Sequence, residues 1–147
     1  MPKFKFRLQS YFDIKVKLED KARQDYGMAM VQLDAELREH ARLEAERGAK
    51  IAHFRESLES SVKPSEVRSF NNYIELLKKN ISAANERVNT AREAAETRRA
   101  ELVEAMKQRK MLEKLHDNAR IDFNKEQTRA EQRATDEVVS YKFNNMP

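Results

Sequence analysis

Cysteine and tryptophan are both missing from these 147 residues, glycine occurs twice and proline three times. Without cysteine there is no disulfide framework, no thiolate zinc site and no thiol nucleophile, and the chain fits a reducing compartment. The scarcity of glycine and proline removes the turn residues that sandwiches, barrels and βαβ folds need every ~8–12 positions. No run approaches the ~18 apolar residues of a membrane span. The opening MPKFKFRLQSYF carries basic residues but no apolar core or small-residue cleavage site, so we expect a cytosolic, unprocessed chain.

What the sequence has in abundance is charge. Charged residues make up 37% and hydrophobic ones 39%, against roughly 25% charged in an ordinary globular domain. Disorder usually combines low hydrophobicity with high net charge. Here 29 Lys and Arg nearly cancel 25 Asp and Glu, leaving a net +4, and the apolar residues are periodic. Long helices are the remaining solution.

The cluster Ser60-Ser61-Val62-Lys63-Pro64-Ser65 ends one helix, because Pro64 lacks an amide proton and pushes Lys63 away from helical geometry. Ser65 is the expected N-cap of the next. Beyond it, apolar residues recur with a seven-residue period from Val67 through Phe70, Ile74, Leu77, Ile81 and Ala84 to Phe123. Of 17 a and d positions, 14 are apolar and only Arg98, Arg109 and His116 are not, which is a coiled-coil seam. The first segment reads in one frame, with Val16, Met30, Leu37, Ile51 and Leu58 at a and Phe12, Tyr26, Leu33 and Phe54 at d. Folding back at Pro64 makes a and d residues face each other whenever their numbers sum to 128. Leu58 then faces Phe70, Phe54 faces Ile74, Ile51 faces Leu77, Leu37 faces Ala91, Leu33 faces Ala95, Phe12 faces His116, and the charged Glu19 meets Arg109. The expected fold is all-α, a single antiparallel coiled-coil domain over residues 1–147. Helix one covers about 3–60, the turn 61–65 and helix two about 66–141, with residues 124–147 overhanging as helix and frayed tail. Gly27 and Gly48 suggest a bend or a close approach inside helix one.

Chemistry finds little support. His40, His53 and His116 cannot meet in this register, and no phosphate-binding, nucleophile-elbow or H-E-x-x-H pattern occurs. A two-helix hairpin also lacks an enclosed pocket of ~300 Å³ or more. We therefore expect no enzyme activity, no cofactor and no metal. The basic excess is local: residues 1–23 hold seven Lys and Arg against three acids, beside Phe4 and Phe6. A protein partner ranks ahead of nucleic acid or membrane there, because acids stay interspersed along the rest of the chain. Near the turn, Tyr73 at heptad position g is expected to be partly exposed and is the best single candidate for a contact.

The opening Phe4-Lys5-Phe6-Arg7-Leu8-Gln9 resembles the start of FliJ, the small coiled-coil protein of the flagellar type III export apparatus. The segment from Phe70 to Ile81, the stretch Arg109-Lys110-Met111-Leu112-Glu113-Lys114-Leu115 and Thr135-Asp136-Glu137 are similar to later motifs of that family. The resemblance implies a non-enzymatic cytoplasmic stalk at the inner membrane of the flagellar base, inserted into the hexamer of the export ATPase FliI. It also implies contacts with the export gate FlhA and with export chaperones, and no nucleic-acid binding. By that analogy Lys3, Phe4, Phe6, Arg7, Leu8, Arg129, Arg133 and Glu137 would face the ATPase ring, while Phe54, Phe70, Tyr73 and Leu77 would serve the gate. Some family members carry tryptophan in the second helix, and this chain has none. The alternatives are the stalk of a virulence secretion ATPase, a generic coiled-coil spacer or oligomerisation protein, and a nucleic-acid-binding hairpin.

Overall fold

The computed structural model describes residues 2–146. Two helices account for nearly all of them: α1 spans Gln9–Leu58 and α2 spans Pro64–Asn144. The chain divides into two compact units, Lys21–Leu102 and the pairing of residues up to Asp20 with those from Val103 onward. In each unit a length of α1 packs antiparallel against a length of α2, the expected helical hairpin.

The helix ends differ from expectation in physically readable ways. Helix one begins at Gln9 rather than near Lys3. The segment before it is not helical, and Phe4 and Phe6, alternating with Lys3 and Lys5, both meet His116. The Gln9 amide donates to the Phe6 carbonyl at 3.1 Å and the Phe12 amide to the Leu8 carbonyl at 2.8 Å, which starts the helix. Helix one stops at Leu58, where the Glu59 and Ser60 amides close tight turns on Glu56 and Ser57. Helix two starts at Pro64, not after Ser65. Lys63 supplies the capping carbonyl, accepting from the Glu66 amide at 3.0 Å and the Val67 amide at 3.3 Å. Proline suits the first helical position, where its fixed φ is an advantage and its missing N–H costs nothing. At the other end α2 continues to Asn144, three residues beyond the expected 141.

Within Lys21–Leu102 the core is a seam of small and branched side chains. One cluster joins Leu33 to Val88, Ala91 and Ala95, and another joins Leu43 to Ile74, Leu77 and Ala84, with Ile51, Phe70 and Tyr73 packed beside it. The expected pairings of Leu33 with Ala95 and Ile51 with Leu77 fall inside these clusters. One row of α1 is displaced by a residue, however. Leu43 is 5% exposed whereas Leu37, placed in the seam by the heptad frame, is 40% exposed. Ala29 replaces Met30 in the same way, and Leu58 is exposed rather than set against Phe70. Phe70 instead stacks flat on Phe54, with ring centroids 3.9 Å apart and planes 5° from parallel. The α1 helix runs uninterrupted through Gly27 and Gly48. Neither has any atom within 4 Å of where a Cβ would stand, so no close approach accounts for them.

In the unit built from the two chain ends, Leu112 is buried and Val16 half-buried, and a charged pair also lies in the seam. Glu19 is only 5% exposed. Its carboxylate accepts from Arg109 Nε at 2.6 Å and from a second guanidinium nitrogen at 3.4 Å, and Arg109 also pairs with Glu113. The register rule held for this pair. From Thr128 to Met146 every residue is exposed, the expected overhang.

Candidate functional site

The residues proposed for a partner at the chain ends fall into two groups. Lys3, Arg7 and Leu8 are exposed, as are Arg129, Arg133 and Glu137 on the unpaired part of α2. Arg133 reaches back to Glu126 at 2.9 Å, a surface ion pair that holds little free energy against solvent. Phe4 and Phe6 are different, because they are half-buried rather than displayed. Both rings pack edge-on against His116, with centroids 5.5 and 5.2 Å away, and Phe12 meets the same imidazole at 6.0 Å. Phe4 also lies 5.5 Å from Phe123 and under the Arg120 guanidinium at 5.4 Å. His116, a defect in the apolar repeat, is thus the hub that docks the non-helical N-terminal segment onto α2. The aromatics hold the exposed Lys3 and Arg7 in place.

Near the turn the four proposed residues separate likewise. Leu77 is 3% exposed and belongs to the core, so it cannot present its side chain to a partner. Phe54 and Phe70 are half-buried in their stack. Tyr73 is half-buried, as its g position led us to expect. Its hydroxyl donates to the Glu46 carboxylate, and Lys50 Nζ lies 5.5 Å from the ring centre. The hydrogen bond to Glu46 is the main reason its phenol is held above the ordinary tyrosine range; desolvation and the Glu46 charge add to it and Arg42 opposes it. Sequence reasoning missed Leu76, which is 54% exposed one helical turn from Tyr73. Its signal was an apolar side chain outside the heptad seam. Val138, Val139, Tyr141, Phe143 and Met146 were missed for the same reason, and all are exposed on the overhang.

Open grooves exist between the helices, one of about 530 Å³ beside Glu36 and Arg87 in Lys21–Leu102 and one of about 440 Å³ beside Tyr11 and Met111 in the other unit. Among the described residues, no three His, Asp or Glu side chains are placed to share a metal ion. No helix of the described residues is long and apolar enough to cross a membrane. The arrangement offers surfaces for binding.

The family model for the flagellar FliJ protein matches residues 4–147. A solved structure described as a YscO homolog, CT670 of Chlamydia trachomatis, is similar in fold, with a TM-score of 0.58 and 21% identity over 97% of this chain and 96% of that one. No curated protein matches the chain.

Proposed function

The chain belongs to the FliJ family, and from that membership we propose that it is a non-enzymatic stalk of the flagellar type III export apparatus. In this reading the unit built from both termini enters the hexamer of the export ATPase FliI, promoting its assembly and activity. The turn-bearing unit contacts the export gate FlhA, and the stalk also meets export chaperones at the cytoplasmic face of the inner membrane. The observation that supports the reading is the exposed stretch from Thr128 to Met146, formed by the last turns of α2 and the residues after it, which carries Arg129, Arg133 and Glu137 in the same unit as the exposed Lys3, Arg7 and Leu8. Phe4 and Phe6 serve the ring indirectly, by pinning that basic segment to His116. In the turn-bearing unit, Tyr73 with Leu76 is the accessible pair, Phe54 and Phe70 fix the turn, and Leu77 supports them from the core.

The test is to mix the full chain with the export ATPase and follow hexamer formation and ATP hydrolysis. Stimulation by the intact protein, lost when Arg129, Arg133 and Glu137 are replaced together by Ala, is the expected result; no stimulation by the intact chain removes the reading. The likeness in fold to a YscO homolog favours one second reading, the stalk of a virulence secretion ATPase. Stimulation of that ATPase in place of the flagellar one would select it.

A further inference from the structure

The unit built from the chain ends carries a surface that the stalk reading does not use. Its groove of about 440 Å³ is walled by Tyr11 and Lys15 of α1 and by Glu104, Gln108, Met111 and Leu115 of α2. Three of these are large apolar side chains left in solvent, Met111 most of all at 66% exposure. On α1 the stripe continues, because Ile14 and Leu18 follow Tyr11 at i+3 and i+7 and therefore share its face; both are exposed. Apolar walls on both sides of a groove between two helices match the ridge of a third helix.

The charge around the groove narrows the occupant. Lys15 is fixed in the groove, its Nζ donating to Gln108 Oε1 at 2.5 Å and standing 5.0 Å from the Tyr11 ring centre. Both partners are neutral, so the ammonium charge is oriented but not cancelled by them. Lys17 borders the α1 stripe, and Lys107 and Lys114 lie one turn either side of Met111; all three are exposed. Glu104 is the one acid in the lining. It is engaged by the Gln108 amide at 3.2 Å. A second copy of this face would bring the same lysines against these, which is unfavourable.

We propose that this groove is the docking site for an amphipathic helix of a partner protein whose apolar face is flanked by Asp and Glu. The apolar ridge fills the space between Tyr11, Met111 and Leu115, and the flanking carboxylates meet Lys15, Lys17, Lys107 and Lys114. The inference goes beyond the stalk reading and does not rest on it.

Fluorescence anisotropy with the purified full chain and no ATPase present tests it. The probe is a labelled helical peptide of about 20 residues, ~30 Å long, with Leu along one face and Glu on both flanks; its control carries Lys in place of Glu. Saturable binding of the Glu peptide, at least about tenfold tighter than the Lys peptide, is expected. M111E combined with L115E should weaken it by about tenfold or more with the far-UV helix signal unchanged, both positions being exposed. Lys15→Met should weaken it and flatten its salt dependence. Absence of binding, equal binding of the two peptides, or binding unaffected by M111E with L115E overturns the proposal. Co-sedimentation with phosphatidylglycerol vesicles that M111E with L115E abolishes, when neither peptide binds, assigns the face to lipid and overturns it too. Because no ATPase is present, failure here leaves the ring experiment to stand or fall separately.

Discussion

Within Lys21–Leu102 the helices meet through Leu, Ile, Val and Ala, and Ala84 is wholly buried. In the unit made from the chain ends, the same two helices meet through Glu19 with Arg109 and through rings gathered on His116. The first solution derives its stability from burial and close backbone approach, which alanine permits. The second derives more of its order from directional contacts, since a buried ion pair offsets its own desolvation only with good geometry. One seam geometry thus carries two chemistries, and each should respond to a different perturbation.

The largest effect belongs to the apolar unit. Leu43→Ala should destabilise by about 2–3 kcal/mol in urea denaturation, in the range for a buried leucine whose surroundings can partly close in. Leu37→Ala, six residues earlier on α1 but exposed, should cost under about 1 kcal/mol. Equal losses would restore the heptad frame that places Leu37 in the seam and would erase the displaced row.

In the charged unit the two partners are expected to be coupled. Arg109→Met and Glu19→Leu each break the ion pair between them, so each should lower the melting temperature, and the double replacement should recover part of the loss, as expected when two side chains share one interaction. Additive losses in the double variant would mean that the pair acts as two independent packing residues.

How far the sequence anticipated this contrast follows from individual residues. The α2 seam was legible because apolar residues fill it almost without interruption, and the Glu19–Arg109 layer followed once the turn at Pro64 set the register. The α1 row between Ala29 and Leu43 was not, because neighbours there exchange character: Glu36 beside Leu37 and Leu43 beside Glu44. A frame scored on apolarity selects Leu37, while the structure keeps a regular repeat through Glu36, whose methylene stem tolerates partial burial. The N-terminal segment was misread because helix one was carried back to about residue 3, whereas the phenylalanines at 4 and 6 pack as a non-helical strap on His116. Tyr73 was placed correctly by its heptad position. Met111 and Leu115 drew no notice as a surface, since a single apolar residue beside a seam is ordinary until a groove joins it to others.

The aromatic hub predicts a local effect that leaves the apolar unit untouched. Phe4→Ala removes ring contacts to His116 and Phe123, worth about 1 kcal/mol beyond burial. Trypsin should then cut after Lys5 and Arg7 roughly fivefold faster, the same energy expressed as a population of the undocked segment. An unchanged cleavage rate would show that Phe6 and Phe12 hold the strap without Phe4.

The smallest change is expected at Tyr73, where pH separates a hydrogen bond from packing. The Glu46 carboxylate accepts its hydroxyl proton and so raises the phenol above its ordinary value, which is about 10. A group whose folded value is raised contributes stability that is complete below the unfolded value and disappears as pH climbs through the folded one. Wild type should therefore lose stability in the alkaline range beyond what its other groups account for, as tyrosinate forms opposite Glu46. Tyr73→Phe keeps the ring against the core cluster but has no proton to lose. It should be slightly less stable than wild type at neutral pH, and the two melting temperatures should converge as pH rises past the raised value. Parallel curves across that range would mean that Glu46 contributes nothing to holding Tyr73, and that its orientation beside Leu76 is set by packing alone.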